Sequence, residues 1–340
     1  MNVRFQNAVA GRVQNTPPIW LMRQAGRYHA HYQALRQKHS FMDLCKQPEL
    51  AVAVALGPVQ EFDFDVAILF SDILFPLEAL GMDLDYTEEG PRLGFHLTAD
   101  TLGRLKPAAE AIPQLKFQQQ ALAATRAVLP GEKSLIGFVG GPWTMFVYAV
   151  EGSHSGSLTA AKRSTPLLDS FYKTLLPVME ANIRQQLEGG AEVVMLFDTA
   201  AGLLSPACFQ SWAVPALARL ARAFPGRLGY YSRDTQRACF DQAFLKLPWA
   251  GMGVDHRWDL REALTLRSGG FVQGNFDQSL LFLEGAVFDR VLRDWLEPLR
   301  QLTPEQRRGW VCGLGHGVLP ATPEAHVRRF VKTVREVFHD

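Results

Sequence analysis

The sequence predicts an α/β protein built as a single (β/α)8 TIM-type barrel spanning residues 1–340. Three observations carry this. Eight short runs are almost wholly apolar rather than alternating, as expected of strands covered on both faces of a parallel sheet. Amphipathic stretches of helical length separate them. No Gly/Ser-rich linker or compositional shift divides the 340 residues, so the β-α units belong to one array. A doubly wound open sheet is the runner-up. That fold normally carries a glycine-rich phosphate turn after its first strand, and the corresponding "RQAGRY" holds one glycine.

In chain order the strands are "IWLM" (19–22), "VAILF" (66–70), "LIGFVG" (135–140) and "VVMLF" (193–197). Then come "LGYYS" (228–232), "GMGVD" (251–255), "FVQGNF" (271–276) and "WVCGL" (310–314). Helices are expected at 48–62, 109–128, 166–189, 206–223, 236–246, 284–301 and 323–337. Several open with proline in the first turn, as in "QPEL", "SPACF" and "ATPEAH".

Composition narrows the function. Hydrophobic residues make up 47% and charged residues 20%, with a formal charge of +1. These values suit a globular enzyme and give no basis for binding nucleic acid or an acidic membrane. The stretch 64–80 is broken by Asp65, Ser71, Asp72, Pro76 and Glu78, so no membrane span is expected. "MNVRFQNAVAGRVQ" lacks the apolar run of a signal peptide. Four widely spaced cysteines predict reduced thiols.

A barrel gathers its chemistry at the C-terminal ends of the strands. Reading off those ends gives Arg23 and Arg27, Ser71 and Asp72, Gly140-Gly141-Pro142, Asp198 and Thr199, and Ser232 and Arg233. The list continues with Asp255-His256-Arg257, Asn275 with Asp277, and Gly315-His316-Gly317. If helical, "LMRQAGRYH" puts both arginines on one face, where they repel. They need either surface carboxylates or an incoming anion. Asp72, flanked by apolar runs, needs donors or a cation; it is either a site acid or a structural partner for an arginine. His316 lies between glycines and is expected to donate to a ligand or to pack in the core. Trp143 and Phe146 are expected to be core, while Tyr148 has a hydroxyl that needs a partner. Metal chemistry finds little support. His29 and His31 are expected at an exposed helix start, and H-E-x-x-H and H-x-C are absent. G-x-S-x-G and P-loop motifs are missing too.

The runs "PPIWLMRQAGRY" (17–28), "LFSDILFPLEALGM" (69–82), "GFVGGPWTMFVYAVEG" (137–152), "MLFDTAAG" (195–202) and "GLGHGV" (313–318) resemble the uroporphyrinogen decarboxylase family over essentially the whole chain. The resemblance implies a cytoplasmic, homodimeric barrel enzyme without cofactor or metal. Its substrate would be a tetrapyrrole whose four acetates lose CO2 to become methyls. It also implies catalysis by Asp72, Arg23 and Arg27. The implied substrate contacts are Arg23, Gln24, Ala25, Gly26, Arg27, Phe41, Asp72, Tyr148, Thr199 and His316. Departures from the family pattern lie at "YYSRDT" (230–235), "VDHRWD" (254–259) and "GNFDQ" (274–278). Two alternatives stand beside this reading: a zinc- or corrinoid-dependent methyltransferase of the same superfamily, and a divergent tetrapyrrole-binding paralogue without activity.

Overall fold

The computed structural model describes residues 1–87, 90–266 and 269–339. Seven strands form one parallel sheet: β1 (Val66–Ile68), β4 (Ser134–Gly140), β5 (Val193–Phe197), β6 (Leu228–Tyr231), β7 (Gly251–Gly253), β8 (Phe271–Phe276) and β9 (Trp310–Leu314), in that spatial order. Every residue in these strands is buried, which is why the runs read as continuously apolar. Seven of the eight expected strands are therefore present at nearly the expected limits. A separate antiparallel hairpin, β2 (Leu84–Thr87) with β3 (Gly90–Leu93), was not expected.

The eighth expected strand, 19–22, is a single bridge from Ile19 to Cys312. Pro17 and Pro18 precede it and have no N–H to give to a ladder. The segment still bonds on both sides. Trp20 N–H donates to the Cys312 carbonyl (3.3 Å), and Asp65 N–H, next to β1, donates to the Ile19 carbonyl (2.9 Å). Asp65 anchors the arrangement. Its carboxylate accepts from Ile19 N–H (2.7 Å), the Asn2 amide (3.1 Å) and Arg335 (2.6 Å) in the Glu324–Val337 helix.

Helices cover the sheet and bury their apolar stripes against it. Pro48–Phe62, Leu168–Glu188, Gly285–Arg300 and Glu324–Val337 fall close to their expected limits. The expected 206–223 helix is interrupted by a wide turn at Phe209–Ala213. Pro215 lacks the N–H that would bond to residue 211, so the backbone widens there. Pro113 similarly divides 109–128. The 236–246 stretch holds only two short helical turns. Pro142–Glu151, a stretch without an assigned element in the sequence reading, is a helix with Pro142 in its first turn. Nearly all of it is buried, so it has no polar face and no helical period to read. Among the described residues, no helix is long and apolar enough to cross a membrane, and all four cysteines are free.

Candidate active site

A cavity of about 450 Å³ opens at the C-terminal ends of the strands. All the expected site residues except Gln24 line it. Gln24 is buried, and its side chain is committed to backbone: it accepts from Leu21 N–H and donates to the Val66 carbonyl. Its role is to hold the turn that presents its neighbours.

That turn is not helical, so the two arginines do not share a helix face. Arg23 sits at φ +60°, a left-handed conformation that costs a non-glycine residue about 1 kcal/mol. Gly317 makes room for its stem: a Cβ there would lie 2.5 Å from Arg23 Cδ. This explains the last glycine in "GLGHGV". Among the described residues, neither Arg23 nor Arg27 is paired with a carboxylate, so the surface-pair alternative falls. Both face solvent; for Arg23 that solvent is the pocket's, and protein surrounds the rest of it. Burial lowers the Arg23 pKa, opposed by Tyr148, Tyr231 and Asp72 and reinforced by Arg233. An unpaired, partly desolvated guanidinium is a standing demand for an anion.

Asp72 terminates the strand region that begins at β1. One carboxylate oxygen accepts from Leu74 N–H at 2.8 Å. Burial raises its pKa above 3.8, opposed by that N–H, the nearby Tyr86 hydroxyl and Arg23. The Tyr86 hydroxyl falls short of hydrogen-bond geometry and is otherwise a buried group without a partner. The Asp72 carboxylate is under-solvated, so N–H donors or a cation arriving beside it relieve its cost. Phe41 packs on Tyr86, ring centroids 4.5 Å apart, and forms an apolar wall.

Two tyrosine–histidine couples flank Arg23, and they differ. The Tyr231 hydroxyl donates its one hydrogen to the Gly315 carbonyl (2.7 Å) and lies 3.0 Å from His316 Nδ1. A carbonyl can only accept, so His316 Nδ1–H must donate to the Tyr231 oxygen. His316 Nε2 then carries a lone pair. Burial, Arg23 and Arg233 push the His316 pKa down to about 3, so the ring is neutral. The expected donor is held as an acceptor. In the second couple, the Tyr148 hydroxyl is 2.6 Å from His154 Nδ1. His154 also lines the cavity and was missed in the sequence, where "EGSHSGS" reads as a plain loop.

Asp198 and Thr199 end β5 together but part company. Thr199 lines the cavity. Asp198 is fully buried and accepts from Thr144 N–H (2.9 Å), Thr144 Oγ1 (2.6 Å) and the Tyr230 hydroxyl (3.3 Å). It thereby caps the Pro142–Glu151 helix that carries Tyr148, and a Cβ at Gly141 would overlap it. Burial pushes its pKa up to about 6, against the pull of Thr144 and Tyr230.

The divergent segments form an ion network beside the pocket. Arg257 pairs with Asp234 and, at 3.1 Å, with Asp255; Arg233 is 3.4 Å from Asp234. Asn275 donates to the Asp255 and Trp258 carbonyls. His29 corrects another expectation: it is buried and bonded to Glu61, whereas His31 is exposed. With Glu324 these groups approach metal-ligand spacing, but both glutamates already share Arg328.

A family model described as Uroporphyrinogen decarboxylase (URO-D) matches residues 1–337. The uroporphyrinogen decarboxylase of Synechococcus sp. (strain JA-2-3B'a(2-13)) is 36% identical over 346 residues, covering 99% of this chain and 98% of that one. That of Nostoc punctiforme is 35% identical over 353 residues, covering 97% and 95%. Among solved structures, a methyltransferase from Methanosarcina mazei superposes with a TM-score of 0.73 at 18% identity, covering 100% of this chain and 99% of that one. That last likeness extends to the fold alone. With full-length matches of this identity on both counts, the chain belongs to the uroporphyrinogen decarboxylase family.

Proposed function

We infer that this protein removes the four acetate carboxyls of uroporphyrinogen III, giving coproporphyrinogen III and four CO2. The supporting observation is that Arg23, Arg27 and Asp72 line one cavity, with both guanidiniums unpaired and the carboxylate under-solvated. Loss of CO2 leaves an electron pair on a methylene carbon. Protonating the ring α-carbon next to the one that bears the acetate creates an iminium-like sink conjugated to the acetate's methylene. The C–CO2 bond then breaks, its electrons form an exocyclic C=CH2 and neutralise the iminium, a second proton completes the methyl, and the ring carbon gives up the first proton to restore the pyrrole. Each turn consumes one net proton for each carboxylate lost as CO2.

Asp72 collects pyrrole N–H bonds and stabilises the cation. Arg23 and Arg27 receive carboxylates as planar forks. His316 Nε2, as an acceptor, suits a pyrrole N–H or a protonated acid rather than a carboxylate. Thr199 and Tyr148 orient acetate or propionate arms, and Ala25, Gly26 and Phe41 shape the wall. The same reading takes residues 1–340 as one barrel domain, with segment 18–22 as the eighth stave between β9 and β1. It takes the protein as cytoplasmic, homodimeric and independent of cofactor or metal. No cysteine lines the cavity among the described residues, which leaves the zinc methyltransferase alternative without a thiolate ligand there.

Anaerobic incubation with uroporphyrinogen III tests this. Stepwise appearance of seven- to four-carboxyl products is expected. Tight binding without turnover favours the inactive paralogue.

A further inference from the structure

We propose that His154 is a positioning residue whose protonation state sets which way the Tyr148 hydroxyl hydrogen points, so that substrate binding turns Tyr148 from an acceptor into a carboxylate donor. This rests on the decarboxylase reading above.

The argument begins with the contrast between the two couples. Tyr231 is locked because the Gly315 carbonyl takes its hydrogen. Tyr148 has no such lock: among the described residues its hydroxyl bonds only to His154 Nδ1, at 2.6 Å. No other described residue fixes its hydrogen. When His154 is neutral with its proton on Nε2, Nδ1 accepts, and the Tyr148 oxygen turns lone pairs to the cavity. When His154 is cationic, Nδ1–H donates to that oxygen, and the Tyr148 hydrogen is released toward the cavity. The rings lie 5.2 Å apart at 48°, so the exchange needs no movement of either residue.

The surrounding charges tie the change to substrate. His154 is half-buried. Burial lowers its pKa below 6.5, and Arg23 and Arg233 lower it further. His316 is coupled to it electrostatically. Asp72 acts on Tyr148, whose own pKa burial pushes up to about 12, so the phenol keeps its proton. The free site therefore holds His154 neutral. A polycarboxylate that engages Arg23 removes its repulsion and adds its own negative charge. His154 then gains a proton, and Tyr148 gains a hydrogen to donate. An acceptor facing the cavity would repel an acetate, whereas a donor holds it.

The test is kcat/KM for uroporphyrinogen III between pH 5.5 and 8.5, measured anaerobically. The proteins are wild type, His154→Ala and His154→Gln, each also in a Tyr148→Phe background. His154→Ala is expected to lose about tenfold. Glutamine can both accept and donate but does not titrate. His154→Gln should recover most of the loss at neutral pH and lack the wild-type rise toward acid. In the Tyr148→Phe background, His154→Ala should change little. An undiminished tenfold loss there, or a wild-type titration in His154→Gln, overturns the proposal. A second readout is independent of turnover. The His154 imidazole resonance, assigned by its absence in His154→Gln, should titrate below pH 6.5 in the free protein and at higher pH with uroporphyrinogen III bound. A midpoint unmoved by binding overturns the switch. Binding with a moved midpoint but no turnover supports the switch and refutes the decarboxylase reading. Absence of binding overturns both.

Discussion

Asp198→Asn should convert a pH-dependent cost into a constant. In the folded protein the carboxyl is fully buried and its pKa stands at about 6, against 3.8 in an unfolded chain. The folded state therefore holds this proton more tightly. The resulting stability is fully present below pH 3.8 and is lost as pH rises through about 6. At about 1.4 kcal/mol per pH unit, the interval is worth about 3 kcal/mol, of which roughly 2 kcal/mol or more falls between pH 4 and 7. Asparagine fits the same contacts. Its carbonyl accepts from Thr144 N–H and Oγ1, and its amide faces the Tyr230 oxygen, which can accept. The Tyr230 hydrogen loses its acceptor, a cost of about 1–3 kcal/mol that does not vary with pH. Urea unfolding of both proteins across pH 4 to 7 cancels every other titrating group. The asparagine variant should gain on wild type by about 2 kcal/mol as pH rises. A constant difference across that range would refute the assignment of a burial-raised acid at this cap.

Other expectations concern the cavity directly. Asp72→Asn should fold normally and lose about 100-fold or more in kcat, read by carboxyl loss from uroporphyrinogen III; near-normal turnover would remove Asp72 from its role. Gly317→Ala should drive Arg23 from its path and lower kcat/KM by about tenfold to 100-fold, with circular dichroism unchanged; wild-type kinetics would show that the stem has another route. Arg23→Lys keeps the charge but loses the fork, so KM should rise by about tenfold with kcat less affected. Tyr231→Phe removes the acceptor that holds His316 Nδ1–H, and the nitrogen resonances of His316 should shift toward a mixture of tautomers; an unchanged spectrum would mean that something else fixes the ring.

The sequence made the sheet legible because parallel strands covered on both faces leave uninterrupted apolar runs, as in 193–197 and 310–314. It concealed the Pro142–Glu151 helix for the same reason: a segment buried all round has no polar side to betray its period. The strand at 19–22 was overread, because two prolines at its start remove ladder donors. The site was legible where charge stands among apolar residues, as at Arg23, Arg27 and Asp72. It was not legible where a role depends on a partner from another strand. Gln24 shares a motif with two pocket arginines, yet spends its amide on backbone. The polarity of His316 is dictated by Tyr231, 85 residues away. His154 could be found only once the chain had folded it back against Tyr148.

The short segment at 18–22 has a consequence for biosynthesis. It leaves the ribosome before the strands of the sheet and carries Arg23 at its end, yet its partners Cys312 and Arg335, the latter reached through Asp65, are translated only after β8. A nascent chain can pair β1 with β4 and β4 with β5 well before then. It cannot set Arg23 in the cavity until β9 and the helix after it have been translated. Stalled or truncated products should accordingly be inert toward tetrapyrroles even where most of their sheet has formed.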